Sequence, residues 1–382
     1  MEKVFDAHIH YSFDIPMEEM IKIFKEEFEE TGTEKYVFLS LPHHASSSGL
    51  HLNADQNVKG LFLKQAFSPN GYAFAGLIHP QTQISDEERS ELYYKQVVQY
   101  HAVGYDGIKM LEGHPTLRKA TGIALNSPVY DKFYSYLEEV GMPIIMHVAD
   151  PAESWDMETA SESAKALGRT YVDEFLSKRQ LTDEVFGILE KHPKLKFGLA
   201  HFGFMSYDIL EAERFLSYEN TFFDLTPGGE QLINMSNAWE KWLPFFEKYQ
   251  NRILYGSDFY AFPKKDETEW RIAFRRRPDF LRQFFETESE HLYIDQRFFG
   301  VKIDKTLRDK LYRDNFMKLF GEPKPIDMEN LKNEIHRLLK NSPSGNEYYT
   351  KDGVIDTSKP ENLKKVRERY KNNLQFMLEE LN

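Results

Sequence analysis

Residues 4–10 read VFDAHIH, a short apolar run that ends on two histidines one position apart. Side chains alternate faces along a strand, so His8 and His10 fall on one face, and Asp6 with them. Neutral imidazole is a favoured ligand for transition metals, and two at this spacing can grip one ion. A bare H-x-H is also short and common, and a solvated or core-packed pair is the plain alternative. The rest of the chain decides between them.

Seven further runs have the same strand-like character: KYVFLSL (35–41), YAFAGLIH (72–79), YDGIKML (105–111), MPIIMHV (142–148), KFGLAHF (196–202), TFFDLT (221–226) and RILYGSD (252–258). Amphipathic stretches alternate with them, among them 16–32, 85–104 and 127–141, each ending at glycine as helices do. Mostly continuous apolar strands, each followed by a helix, predict a parallel sheet covered by helices. Eight such units, with no G-x-G-x-x-G after any strand, predict an α/β fold of the closed (β/α)8 TIM-barrel type. A barrel of ~250 residues with extensions fits a chain of 382.

The barrel domain is read as residues 1–321, closed by the helical LRDKLYRDNFMKLFG (307–321). Residues 322–382 then read as a helical C-terminal extension, its helices joined by the turn-rich NSPSGNEYYTKDG (341–353), and are taken as an appendage that serves as a dimer arm or a cover. Residues 149–170 form a polar loop after the fifth strand, of a length at which loops are more often functional than idle.

Composition excludes several classes. A net charge of −13 argues against nucleic acid as a partner, and the run Arg275–Arg277 reads as a solvated helix face or an anion contact. No apolar stretch reaches the roughly 18 residues of a membrane span, and the first residues are too charged for a secretory signal. The chain has no cysteine, which removes disulfides, iron–sulfur clusters and thiol catalysis, so any metal must be held by His, Asp or Glu. A cytoplasmic protein with a small-molecule substrate and no membrane partner is expected.

Placed on the strands, the ionisable residues gather at one end. His8 and His10 close the first strand, Lys109 lies near the end of the fourth, His147 closes the fifth, His201 the sixth and Asp258 the eighth. C-terminal strand ends are where barrel enzymes carry their active sites. Four histidines, an aspartate and a lysine at five strand ends point to a metal site more strongly than any single motif.

D-A-H-I-H (6–10), G-I-K (107–109), P-I-I-M-H (143–147), L-A-H-F-G (199–203) and L-Y-G-S-D (254–258), in that order, resemble the amidohydrolase superfamily, in particular its amidohydrolase-2 branch. Residues 127–147 and RDNFMKLFG (313–321) resemble the same branch, so the likeness spans residues 1–321 and leaves the tail uncovered. The resemblance implies that His8, His10, His147 and Asp258 match the ligands of a mononuclear metal centre, with His201 close by as a catalytic or second-metal histidine. Lys109 matches the position at which binuclear members carry a carboxylated, metal-bridging lysine. The same G-I-K occurs in members with one metal, and one ion rather than two is expected here. Zinc is the expected ion, with manganese, iron and nickel open.

The ligand types imply a hydrolase that uses a metal-activated water on an amide, ester or lactone of a small, carboxylate-bearing molecule. Asp258 would take the proton from the nucleophile, and the metal and protonated His201 would stabilise developing negative charge. The branch also contains non-oxidative decarboxylases of aromatic or unsaturated carboxylic acids, so a lyase is the alternative. A barrel that keeps its metal only for binding or assembly is a third reading.

Further residues fall where barrel loops reach a substrate. His43 and His44 follow the second strand, His79 ends the third, and Glu112, His114, Arg118 and Lys119 follow the fourth. Arg118 and Arg169 are the expected clamps for a substrate carboxylate, since a guanidinium binds one in bidentate fashion. Trp155 is expected as an apolar wall, with His44, His79 and Glu112 lining the pocket, and Asp224 as the carboxylate that orients a ligand histidine. His101, His192, His291 and His336 read as structural. A homodimer is expected, as the commonest closed assembly.

Overall fold

All eight apolar runs contribute a strand, with ends that differ from those of most runs by a few residues. They are β1 (Val4–His10), β2 (Thr33–Leu39), β3 (Gly71–Gly76), β4 (Gly107–Gly113), β5 (Ile144–Val148), β6 (Phe197–Leu199), β7 (Thr221–Asp224) and β8, which comes in two pieces, Ile253–Leu254 and Phe259–Tyr260. The computed structural model describes every residue except 12–14, 47–48, 167, 228–230, 261–266, 342–346, 351–352 and 357–358. Each strand runs parallel to its neighbour in the chain, the first piece of β8 pairs with β7, and the second pairs with β1. The two ends of the row are therefore one strand, and the sheet closes into the expected (β/α)8 barrel.

Two apolar layers hold it together. Val37, Phe74, Ile145, Phe222 and Leu254 belong to a small cluster drawn from strands all round the barrel, which fills the interior. A larger cluster lies between the strands and the helices outside. Helices α1 (Met17–Thr31), α2 (Gln56–Ala66) and α3 (Asp86–Val103) have local reasons to start and stop where they do. Ser85 and Glu88 form a reciprocal capping box at the start of α3, and Gly32 ends α1 at φ +68°, a conformation that costs glycine nothing.

The N-terminal mouth is plugged by the helical stretch 305–320, where Phe316 packs edge-on against Phe5 and Tyr72. Its middle, Lys310–Asp314, is a π turn, and the Leu311 carbonyl accepts from Tyr255 N at 2.8 Å, just where β8 breaks. Ala7 N donates to Tyr255 O at 3.0 Å on the other side. Asp6 seals the same seam. Its carboxylate accepts from Ser257 N at 3.0 Å, Ser257 Oγ at 2.5 Å and His8 N at 3.0 Å. Asp6, which strand period puts on the face of His8 and His10, spends its carboxylate on this seam: the register shifts between Asp6 and Ile9, and Asp6 ties the first strand to the last.

After β8 the chain adds a long helix, α4 (Glu267–Glu286), and a hairpin of Glu290–Tyr293 with Gln296–Phe299. The tail holds α5 (Met328–Lys340), a second hairpin of Glu347–Thr350 with Gly353–Asp356, and α6 (Pro360–Glu380). That hairpin stands where the sequence reads only as a turn; residues 342–346 and 351–352 of the stretch lie outside the described residues. The tail is not a projecting arm. Leu331, Ile335, Leu374 and Met377 are buried in the same cluster as the barrel helices, and Asn373 bonds Met17 N at 3.0 Å and Ile15 O at 3.3 Å. Among the described residues no helix is long and apolar enough to cross a membrane.

Candidate metal centre

His8 and His10 meet at the C-terminal mouth, their Nε2 atoms 3.1 Å apart. Their outer nitrogens settle which protons they carry. His10 Nδ1 lies 3.0 Å from the Leu39 carbonyl, which only accepts, so the His10 proton is on Nδ1. His8 Nδ1 lies 2.8 Å from Asp224 Oδ2 in the same role. Burial holds both imidazoles well below the usual histidine pKa, so each carries one proton and turns an Nε2 lone pair toward the other. Asp258 Oδ1 completes the group, 3.8 Å from His8 Nε2 and 3.6 Å from His10 Nε2.

Two lone pairs and a carboxylate oxygen repel one another unless a cation lies between them. Metal bonds of 2.0–2.2 Å at tetrahedral angles would put neighbouring ligand atoms about 3.3–3.6 Å apart, close to the three distances seen. These residues fit a divalent ion.

Three more strand-end residues surround the group. His147 donates from Nε2 to the Ala149 carbonyl at 2.9 Å, with Asp150 Oδ1 at 3.5 Å, which leaves its Nδ1 as the lone-pair atom. Its ring centroid is 4.8 Å from that of His201. His201 sits in a left-handed turn, with positive φ from His201 through Phe204, and its backbone N donates to Asp224 Oδ1 at 2.8 Å. The His201 Nδ1 atom is buried and has no partner among the described residues. Burial, then the neighbouring His147, His8 and Lys109, hold this ring neutral, which corrects the expectation of a protonated His201. Lys109 Nζ lies 3.4 Å from His8 Nε2, and burial brings its pKa down to about 8.

Asp258 stands at φ +52° in the break of β8. Burial would raise its pKa, but Arg277 of α4 and then His8, His10 and Lys109 hold the carboxyl below its usual range. Arg277 Nη1 contacts Asp258 Oδ2 and lies 2.5 Å from the Asp258 carbonyl oxygen. The arginine run thus divides its work: Arg277 meets Asp258, Arg275 meets Glu27, and Arg276 is exposed.

His114, His147 and Asp150 form a second group of potential ligands. The protons argue against an ion there. His114 Nδ1 accepts from Thr116 N at 3.3 Å, so its proton is on Nε2, which faces Asp150 Oδ2 at 3.4 Å. Tyr171 OH also donates to Asp150. Asp150 is the acceptor for three donors, and through His147 it orients a neighbour of the centre.

The remaining candidates divide. His79 Nε2 is 3.0 Å from Glu112 Oε1, and His79 Nδ1 is 2.7 Å from Tyr93 OH, a buried network that also takes in His43. His44 is half-buried, with burial, then His10, His51 and His114, bringing its pKa to about 3. Trp155 donates to the Leu176 carbonyl at 2.8 Å and packs on Tyr171 with ring centroids 5.0 Å apart. Arg169 is exposed, near enough for its charge to act on His114 and Tyr171. Arg118 is a correction: Nη2 and Nε engage Glu184 at 2.8 and 3.0 Å, so its fork is filled from within the protein. Asp150, Tyr171 and Arg277 were not singled out in the sequence as site residues. The spacing of His147 and Asp150, three residues apart across a strand end, is the one local signal for the first of them.

Fold and site together define a (β/α)8 barrel with a candidate metal centre at its C-terminal mouth. The amidohydrolase (Amidohydro_2) family profile matches residues 83–321, more than half of the chain, and the protein belongs to that family. No curated protein matches it. Among solved structures, a 4-oxalomesaconate hydratase from Rhodopseudomonas palustris is similar at 15% identity and a TM-score of 0.51, over 88% of this chain and 98% of that one. A 2,6-dihydroxybenzoate decarboxylase from Rhizobium matches at 14% identity and 0.47, over 84% and 99%. A dihydroxybenzoic acid decarboxylase from a Polaromonas species, solved with manganese and 2-nitroresorcinol, matches at 14% and 0.48, over 84% and 97%. At these identities the likeness is one of fold.

Proposed function

We propose that this protein is a metal-dependent hydrolase that cleaves an amide, ester or lactone of a small, carboxylate-bearing molecule. The observation that carries the reading is the convergence of two imidazole lone pairs and one carboxylate oxygen, from His8, His10 and Asp258, at the barrel mouth. A divalent ion held by these residues, with His147 beside them, would act as a Lewis acid and bring the pKa of a water from 15.7 to about 7. The chain supplies the rest. His201 Nδ1 has no partner among the described residues, and the neutral ring is suited to take a proton from the reacting oxygen and pass it to the leaving group. Lys109 offers a buried cation against negative charge that develops there. Asp224 keeps His8 and the His201 backbone in register through its two oxygens.

A second reading, non-oxidative decarboxylation of an aromatic or unsaturated carboxylic acid, is favoured by one observation. Arg277 occupies Oδ2 of Asp258, the oxygen a hydrolase of this design would use as its base. A decarboxylase needs substrate chelation and a proton donor, and the buried Lys109 ammonium suits the donor's part.

The test is product analysis with metal-reconstituted protein on a panel of lactones, esters and amides of carboxylic acids and on the free unsaturated acids. A new acid with an alcohol or amine, lost on chelation and in His8→Ala, is the expected result. Release of carbon dioxide would replace the first reading with the second. Turnover unchanged in a metal-free His8→Ala protein would overturn both.

A further inference from the structure

We propose that Arg277 is a positioning residue for the metal centre: it holds Asp258 by Oδ2 and the main-chain carbonyl, so that Oδ1 alone is turned toward His8 and His10. The proposal rests on the metal reading above and assigns a role to a residue that lies outside the barrel strands.

Asp258 stands in the left-handed region, at φ +52°, in the break between the two pieces of β8, outside the strand pairing that fixes the residues on either side. Arg277 Nη1 reaches both the carbonyl oxygen and Oδ2 of this residue, which fixes the backbone and the carboxylate rotation together. The Tyr293 hydroxyl lies near enough to act on the charge of the same guanidinium. Tyr293 belongs to the hairpin after α4, and its ring stacks on Phe280 with centroids 4.0 Å apart and planes at 16°.

The helix that carries Arg277 is itself anchored. Arg275 binds the fully buried Glu27 of α1, with Nε 2.7 Å from Oε2 and Nη2 3.2 Å from Oε1. A guanidinium that grips both the carboxylate and the carbonyl of one residue, from a pinned helix, is built to orient a protein group.

A consequence follows for the centre. With Oδ2 taken, Asp258 offers the ion one oxygen, whereas a free carboxylate can chelate with two. The lysine side chain is shorter and its ammonium a compact point charge, so it does not bring a donor to the place of Arg277 Nη1. Loss of the arginine should therefore change the number of oxygens that Asp258 presents, and the spectrum of bound Co²⁺ reports coordination number directly.

The experiment is titration of the metal-stripped full-length protein with Co²⁺, following visible absorption and affinity by competition with a chromophoric chelator. Arg277→Gln is expected to weaken the absorption as a second oxygen is released, and to lower affinity by about 10-fold. Arg277→Lys is expected to change the spectrum in the same direction, and it serves alone if Arg277→Gln does not fold. Arg275→Gln breaks an anchor on the same helix without touching Asp258, so it should lower the melting temperature and leave the spectrum as in the wild type. A spectrum of Arg277→Gln or Arg277→Lys superimposable on the wild type, whatever the affinity, overturns the proposal. A wild-type protein that takes up no Co²⁺ overturns the metal reading, and this one with it.

Discussion

At the scale of single residues, one carboxylate organises two of the site's histidines. Asp224 binds His8 Nδ1 through Oδ2 and the backbone N of His201 through Oδ1, each at 2.8 Å. An amide in its place has one acceptor oxygen for two donors, and its NH2 would push the His8 proton toward Nε2, where an ion would bind. Asp224→Asn is therefore expected to weaken Zn²⁺ or Co²⁺ affinity by about 10- to 100-fold, measured by calorimetry on metal-stripped protein. An affinity equal to wild type would show that His8 keeps its tautomer without this partner. The role of Asp224 was legible from its place at the end of a strand. That of Arg277 was not, since nothing local separates the third arginine of a run from the exposed second, and nineteen residues of chain separate it from Asp258.

At the scale of elements, the site depends on where strands stop. Periodicity locates an apolar run well, but the ends of β5, β6 and β8 are marked by positive φ at Ala149, His201 and Asp258, which no apolar pattern signals. Long-range contacts hold them there. Close approach of strands matters equally at Gly256, where a Cβ would lie 2.7 Å from Thr226 Oγ1, 3.1 Å from His8 Cβ and 3.4 Å from Asp224 Cβ. Gly256→Ala is expected to cost about 1–3 kcal/mol in urea unfolding, because three strands converge on that point and none has room to move. It should also reduce metal uptake, since His8 stands with Thr226 among the groups that must give way. Wild-type stability in this variant would mean that the seam is looser than these distances indicate.

The whole molecule carries an unusual load of buried, neutral histidine. Burial holds His8, His10, His43, His44, His114 and His201 below the usual range, His44 and His114 to about 3. In the unfolded chain each takes up a proton as the pH falls through 6.5, while the fold refuses it. The unfolded state then binds more protons, and stability must drop on acidification, by up to about 1.4 kcal/mol per pH unit for each histidine. Asp6, raised by burial to about 7, acts the opposite way between pH 4 and 7, and burial also raises Asp106, Asp224, Glu211 and Asp279, but between pH 7 and 5 the six histidines outweigh these carboxyls. The urea midpoint of metal-stripped protein should fall from pH 7 to pH 5, and a flat profile would contradict this placing of the histidines.

The amino-acid sequence by itself determined the barrel and the roster of ionisable strand ends, because strand period, helix stops and the chemistry of His, Asp and Lys are local properties that survive without a partner. Only the tertiary structure decided which ring nitrogen of each histidine is free, which oxygen of Asp258 faces His8 and His10, that Arg118 is paired with Glu184, and that the tail is packed on α1 through Asn373. Each of these is a contact between residues far apart in the chain, and a hydrogen bond assigns a proton only when both of its ends are in place.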